Sequence, residues 1–489
     1  MKKKVATVRS IAMVLILAMI ITCLAGCSGS DSVTPEDAKV NNDDITIDPS
    51  NSTDVSDPSV TDTAEREKVD SVPETVSSTE KDNAEDKKQE EKEKAISENN
   101  MDENKDTRKD PNPFDNTVVK TVPEVEHVDD DVEGLTGALA FVRKLRLGWN
   151  LGNTMDATSG ATTGANLSLE SSWSGIKTTR EMIDAIKEAG FKSVRIPVSW
   201  HNHVDKDYNI EAPWLARVRQ IVDYVIENDM YCTINIHHDN STEFIYPTTE
   251  YLEQSKNYLR RIWEQVGEEF KEYDDHLIFE SLNEPRLVGN KNEWYLSDNE
   301  ICHDAVRCIN ELNQLFVDTI RAQGGNNAER YLLVPAYAAQ WGAATDDEFV
   351  MPHDSADNKL LLEVHAYSPE NFSLTAPTES SSTDVFDETN GKSVGGINSM
   401  LAKLKLCYID KGIGVVIDEF GSRDKDGNTA DRVAHAAYYV KKAREAGITC
   451  FWWDNNLFSG SGERFGIFDR KSCSFRYPEI AQALADNCR

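Results

Sequence analysis

Two glutamates draw attention by their surroundings. Glu284 lies between Asn283 and Pro285 just after the apolar run 277–282, and Glu419 lies between Asp418 and Phe420-Gly421 at the end of the apolar run 415–419. Two carboxyls can move a proton and attack an electrophilic carbon if their surroundings push their proton affinities apart. Arg195 is a permanent positive charge that can hold one of them ionised. His237, His238, His365 and Tyr367 offer further proton and hydroxyl contacts, and Asn153 and Trp453 offer a polar hook and a flat apolar face. The same chain also admits a metal reading, with His237, His238, Asp239 and His365 as ligands. That reading lacks an H-x-H pair on the first strand and leaves both glutamates without a task.

Residues so far apart in sequence need elements that bring them together. Short β-branched and apolar runs at 145–151, 193–198, 231–237, 277–282, 331–335, 360–364, 415–419 and 448–453 read as strands. Helical patterns separate most of them, at 214–228, 250–273, 303–323, 394–409 and 430–446. Thr178-Thr179-Arg180-Glu181 has the form of a capping box opening another helix, with Met182, Ile183, Ile186 and Ala189 on one face and Gly190 as its stop. In the helix over 303–323, Val306, Ile309, Leu312, Leu315, Phe316 and Ile320 are spaced for one buried face. Only the crossover between the fifth and sixth strands has no clear helix.

Eight alternations predict an α/β fold of the (β/α)8 TIM-barrel class, in which sites collect at the C-terminal ends of the strands. A doubly wound open sheet would need a glycine loop for phosphate after its first strand, and Gly152 is followed instead by Asn153-Thr154-Met155. The polar residues fall at the strand ends: Asn153, Arg195, His237-His238, Asn283-Glu284, His365-Ala366-Tyr367, Asp418-Glu419 and, with its indole, Trp453. One glutamate after a strand is commonly a solvated loop residue. Seven such ends facing one mouth form a site.

In this order, Asn150-Leu151-Gly152-Asn153, Arg195-Ile196-Pro197, Asn283-Glu284-Pro285, His365-Ala366-Tyr367 and Glu419-Phe420-Gly421 resemble glycoside hydrolase family 5. The resemblance covers about residues 145–487, and the stretches 234–240 and 452–456 are similar to its bacterial endoglucanase and xyloglucanase subgroup. It implies retaining, endo-acting hydrolysis of β-1,4-glucosidic bonds, with Glu284 as acid/base and Glu419 as nucleophile, and it implies no metal and no cofactor. It implies that Arg195 and Tyr367 hold Glu419, that Asn283 bonds the sugar 2-hydroxyl, and that His237 and His365 orient hydroxyls and the acid/base. Trp453 becomes a platform under the sugar, Asn153 a contact to a more distant glucose, and His238 either a ligand contact or a packing residue. Of the other tryptophans, Trp173, Trp200, Trp294 and Trp341 fall in loops, where each can either extend a cleft or pack, whereas Trp214 and Trp263 read as core. Xyloglucanase, xylanase and mannanase remain alternatives within the family. A metal-dependent barrel hydrolase and a non-catalytic carbohydrate-binding barrel are alternatives outside it, and the latter normally loses one of the two carboxylates.

Composition narrows the partners. The 489 residues carry a formal net charge of −33, which excludes nucleic acid and disfavours anionic lipid surfaces. A neutral polymer such as a β-glucan needs no steering field, and a monomer is the expected state. Residues 1–27 read as a lipoprotein signal peptide: Lys2, Lys3 and Lys4 precede a short apolar stretch that ends in Leu24-Ala25-Gly26-Cys27. This resembles a bacterial lipobox and implies lipidation of Cys27 and a secreted, surface-anchored protein. Residues 28–120 read as a disordered acidic linker, since Ser28 to Asp115 holds 26 Asp and Glu against 11 Lys and Arg and one aromatic residue, Phe114. Residues 121–489 read as the catalytic barrel and hold all nine tryptophans. Beyond Cys23 and Cys27 seven cysteines remain, with no CxxC pair; Cys473 and Cys488 are the two best placed to meet.

Overall fold

A computed structural model describes residues 132, 134–135, 137–160 and 166–488. Cys27, the signal peptide and the acidic segment 28–120 lie outside the described residues.

Eight parallel strands close into one barrel in chain order. They are β1 (Leu147–Asn150), β2 (Ser193–Ile196), β3 (Tyr231–Asn235), β4 (Leu277–Glu280), β5 (Leu332–Gln340), β6 (Leu360–His365), β7 (Gly414–Phe420) and β8 (Thr449–Trp452). The (β/α)8 expectation holds. Helix α1 (Gly137–Leu145) precedes the barrel, and α2 (Arg180–Glu188), α3 (Ala212–Ile226), α4 (Leu252–Glu269), α5 (Glu300–Ala322), α6 (Gly391–Cys407), α7 (Thr429–Glu445) and α8 (Pro478–Asn487) surround it. The unclear crossover between β5 and β6 is the irregular one, holding only a one-turn helix, Trp341–Ala344.

The strands are buried on both faces, which is why they read as continuous apolar runs with no clean alternation. Residues pointing outward, such as Val194, Ile196, Phe279 and Ile417, pack in one core with the helices. Residues pointing inward near the strand starts, including Ile278, Leu361, Val416 and Phe451, meet Phe141 and Leu145 of α1, which plugs the floor of the barrel. Helix α5 shows how a local signal becomes packing. The Asn299 side chain accepts from the Cys302 N–H at its N-terminus, and Val306, Ile309, Leu312, Phe316 and Ile320 are buried. Each such side chain contributes about 1.5–3 kcal/mol on burial.

Two expectations need correction, the capping box and the end of β5, and the pairing of Cys473 with Cys488, left open by the sequence, is answered. The capping box at 178–181 does not form: Thr179 is the N-cap and makes no side-chain cap bond. The Thr178 N–H instead donates to Glu170 Oε1 at 2.8 Å, within a buried pair in which Arg217 Nη2 also meets Glu170 Oε1 at 2.7 Å. Cys473 and Cys488 are not joined to each other, and no disulfide links any of the seven cysteines among the described residues. The helices begin and end within a few residues of their predicted bounds, but β5 runs on to Gln340 through a register shift after Pro335.

Candidate active site

Strand alternation sends Arg195, Glu280, Glu363 and His365 into the barrel, one layer above the apolar floor. At β7 the pattern changes. Val364 pairs with Ile417, but the next residue, His365, pairs with Glu419, so β7 carries one extra residue there. This bulge turns two successive carboxyls, Asp418 and Glu419, toward the same interior. Regular alternation would have sent one of them outward.

Arg195 is the hub. It is fully buried and its fork meets both Glu280 oxygens at 2.7 Å, Glu419 Oε1 at 2.7 Å, Asn283 Oδ1 at 2.8 Å and Asn150 Oδ1 at 3.0 Å. Burial works against its charge, but Glu280, Glu419 and Asp418 outweigh that and hold the guanidinium firmly protonated. Glu419 also accepts the Tyr367 hydroxyl on Oε2 at 2.9 Å. Burial first, and then the negative charges of Glu419 and Glu284, push the Tyr367 phenol well above its usual range, so it acts as a donor.

Glu284 faces Glu419 across His365. Its Oε1 lies 2.8 Å from His365 Nδ1, and that same nitrogen is 3.6 Å from Glu419 Oε2. A carboxylate oxygen of Glu284, one of Glu419 and the imidazole nitrogen all lie within 4.8 Å of one another. Arg286 Nη1 adds a longer contact of 3.5 Å to Glu284 Oε2, and its guanidinium lies 4.1 Å from the Trp294 ring centroid. Burial raises the Glu284 proton affinity, but the hydrogen bond and charge of His365, with Arg286 and His238, reverse the sign and leave it below the ordinary value. His365 is raised to about 9: burial opposes its charge, and Glu419, Glu284 and Asp418 more than offset it. Glu284 Oε1 and His365 Nδ1 are thus placed to share one proton across their 2.8 Å contact.

The rim completes the cleft. The His237 and Trp453 rings are parallel within 6°, with centroids 6.0 Å apart, and Asn235 Nδ2 approaches His237 Nδ1 at 3.1 Å. Burial, with the neighbouring positive charges, keeps His237 neutral. Gly152 lies beneath Trp453, where a Cβ would meet the indole at 2.8 Å. Asn153 follows with a left-handed backbone, φ 56°, and its N–H donates to Asp156 Oδ2 at 3.0 Å. His238 Nε2 is 3.9 Å from the same carboxylate oxygen, and its ring is tilted against half-exposed Trp173. Trp294 is also half-exposed, on the loop after Glu284. Of the loop tryptophans, Trp200 packs: it is buried and its indole N–H donates to Asn235 O at 2.9 Å. Trp341 packs against the core as well, as Trp214 and Trp263 do.

The metal set does not converge. Both Asp239 oxygens are taken by the Trp200 N–H, His201 and the Tyr258 hydroxyl, away from His365. Asn150, Asn235, Glu280, Glu363 and Arg286 are site residues that the motif reading passed over. A usable signal existed for the two glutamates, since Glu280 and Glu363 sit two residues after inward-pointing Ile278 and Leu361 in strands that are otherwise apolar.

The cellulase model of glycosyl hydrolase family 5 matches residues 155–459. Endoglucanase A of Ruminococcus albus is 39% identical over 355 residues, covering 72% of this chain and 93% of that protein. The cellulase/esterase CelE of Acetivibrio thermocellus is 39% identical over 350 residues, or 71% of this chain, which spans only 40% of that longer protein. Among solved structures, a family 5 lichenase of a Caldicellulosiruptor species superposes with TM-score 0.72 at 49% identity, over 76% of this chain and all of that one. A broad-specificity endoglucanase of Ruminococcus champanellensis with bound cellotriose gives 0.66 at 40% identity, over 72% and 98%. With the family match extending over most of the barrel and relatives of this identity, the chain belongs to glycoside hydrolase family 5.

Proposed function

We propose that this protein is an endo-acting β-1,4-glucanase that hydrolyses cellulose or a related β-glucan with retention of anomeric configuration. The observation that carries the mechanism is the approach of Glu284 and Glu419 to within 4.8 Å. Retaining enzymes hold their carboxyls about 5–5.5 Å apart, whereas inverting ones leave a wider gap for water. The substrate class rests on the family and on relatives named endoglucanase and lichenase.

The proposed sequence of events follows from the contacts. Glu419, held between Arg195 and Tyr367, attacks the anomeric carbon. As the glycosidic bond breaks, Glu284 gives the leaving oxygen a proton, drawn through the 2.8 Å contact from His365. Water then enters on the face the leaving group vacated, Glu284 takes its proton, and the oxygen displaces Glu419 from the opposite side of the ring, which restores the original configuration. In this scheme Asn283, held by Arg195, bonds the sugar 2-hydroxyl, and Trp453 above Gly152 stacks under the ring; the intramolecular contacts of both support these roles. His237 stays neutral and serves as a hydrogen-bonding surface.

The lipobox-like end of the leader supports secretion and anchoring through Cys27, with residues 28–120 as a stalk and 121–489 as the acting barrel. A panel of carboxymethylcellulose, mixed-linkage glucan, xyloglucan, xylan and mannan tests the substrate and the mode. Viscosity of the accepted β-glucans is expected to fall faster than reducing ends appear; release of only short sugars from chain ends at the earliest times contradicts internal cleavage.

A further inference from the structure

Beneath the two glutamates lie two more carboxyls that the scheme above does not use. Glu363 on β6 and Asp418 on β7 are completely buried, and none of their oxygens has a hydrogen-bond partner among the described residues. Both face His365 from below. Its Nε2 is 3.5 Å from Glu363 Oε1 and 3.6 Å from Asp418 Oδ1, while its Nδ1 faces Glu284 above. Other groups around the imidazole are Glu419 of β7, Arg195 of β2 at 3.5 Å from Nε2, and neutral His237 after β3; Glu280 of β4 borders the lower pair.

Charge balance makes this arrangement informative. Five carboxyls, Glu280, Glu284, Glu363, Asp418 and Glu419, surround one guanidinium and one imidazole, and Asp418 Oδ2 is 3.6 Å from Arg195 Nε. Even with Arg286 counted beside Glu284, full ionisation would leave a net charge of minus two in a water-poor interior, which such sites avoid by keeping protons. Glu280 and Glu419 have the best positive partner, each meeting the Arg195 guanidinium at 2.7 Å. Glu363 and Asp418 lack donors, and burial, followed by the charge of Glu280, pushes both far above the usual carboxylate range. A buried carboxyl without a donor destabilises the fold. Two side by side at one imidazole nitrogen call for a purpose.

We infer that Glu363 and Asp418 are positioning residues that act through His365 as a proton reserve for Glu284. At low pH both are neutral and the imidazole keeps its proton for Glu284. As pH rises and they begin to ionise, their negative charge holds the imidazolium in place, so the acid stays supplied further into the alkaline range. The proton given to the leaving oxygen moves from His365 Nδ1 to Glu284 Oε1 and on, and it returns the same way when Glu284 deprotonates water. No net proton is lost in a turnover. This inference rests on the acid/base role proposed for Glu284.

Asp418→Asn and Glu363→Gln keep the shape and remove the ability to ionise. The test is the pH profile of kcat/KM on a β-glucan, beside an aryl β-cellobioside whose acidic phenol leaves without a proton. With the amides, the alkaline limb on the glucan is expected to move to lower pH by about one unit, the scale of one lost neighbouring charge. The aryl substrate's glycosylation step needs no proton from Glu284, so whatever its rate in the variants, its alkaline limb should stay where the parent has it. An unmoved limb on the glucan, or the same shift of the limb on both substrates, overturns the inference. If either variant fails to fold, infrared spectra of the parent decide: carbonyl bands of protonated carboxyls are expected at neutral pH, shielded from solvent, and their absence overturns it. Failure of the underlying reading is distinct, because a parent that releases no sugar from any β-glucan refutes the enzyme reading itself.

Discussion

Arg195 organises the site through geometry that only a planar fork can meet. Its three nitrogens serve two carboxylates and two amide oxygens in a fully buried layer. Lysine carries the same charge but a single nitrogen, and cannot bridge Glu280 and Glu419 together. Removing one partner of a buried pair leaves an uncompensated charge, at a cost of roughly 3–5 kcal/mol. Arg195→Met is therefore expected to lose stability on that scale in urea denaturation. Arg195→Lys should be less destabilised yet lose most activity, since Glu419 and Asn283 would no longer share a brace. An Arg195→Met variant as stable as the parent would show that the layer has other compensation.

At the level of elements, the barrel was largely readable because parallel strands covered on both faces must be apolar, and helices between them must show a one-sided pattern. The strand ends at Arg195, Asn283-Glu284 and His365 were readable for the same reason: a polar residue ending an apolar strand has few places to go. Three features escaped. The β7 bulge is a pairing property, invisible in a run such as Gly414–Phe420. The lost capping box at Thr178 depends on Glu170, a contact from outside the helix. Trp200 looked like a loop residue because its burial comes from β3, whose Asn235 carbonyl takes its indole N–H.

Helix α7 meets the loop after β6 through His435, whose Nε2 is 2.9 Å from the Ser368 carbonyl and 3.3 Å from the Ser373 hydroxyl. Burial lowers this imidazole from 6.5 to about 4, so it is neutral in the folded chain and readily protonated in the unfolded one. The unfolded state then binds more protons, and the stability present above about pH 6.5 is lost as pH falls toward about 4. The loss amounts to roughly 3 kcal/mol at the acid end. His435→Gln is expected to flatten the melting temperature between pH 6.5 and 4; an unchanged slope would place the acid sensitivity elsewhere.

For the whole molecule, every described element of the barrel and every candidate site residue except Cys27 lies beyond residue 121. A fragment covering 121–489 is expected to fold and to match the activity per mole of the longer chain on a soluble glucan. A large loss would mean that the acidic segment contributes binding or structure. Cys27→Ala, expressed in the full chain, is expected to leave the membrane fraction of a bacterial host and to carry no labelled lipid. Retention in that fraction without lipid would refute the anchor.

The division of labour between the two glutamates admits the most direct measurement. Glu284→Ala removes proton transfer only, so an aryl cellobioside with an acidic phenol is expected to give a fast first burst and then stall. Azide should release the trapped sugar as the β-azide, with retained configuration. Glu419→Ala removes the nucleophile, so no burst is expected, and azide can rescue it only as the inverted α-azide. Exchanged outcomes for the two variants would reverse the roles of Glu284 and Glu419, and an inverting parent enzyme would contradict the double displacement itself.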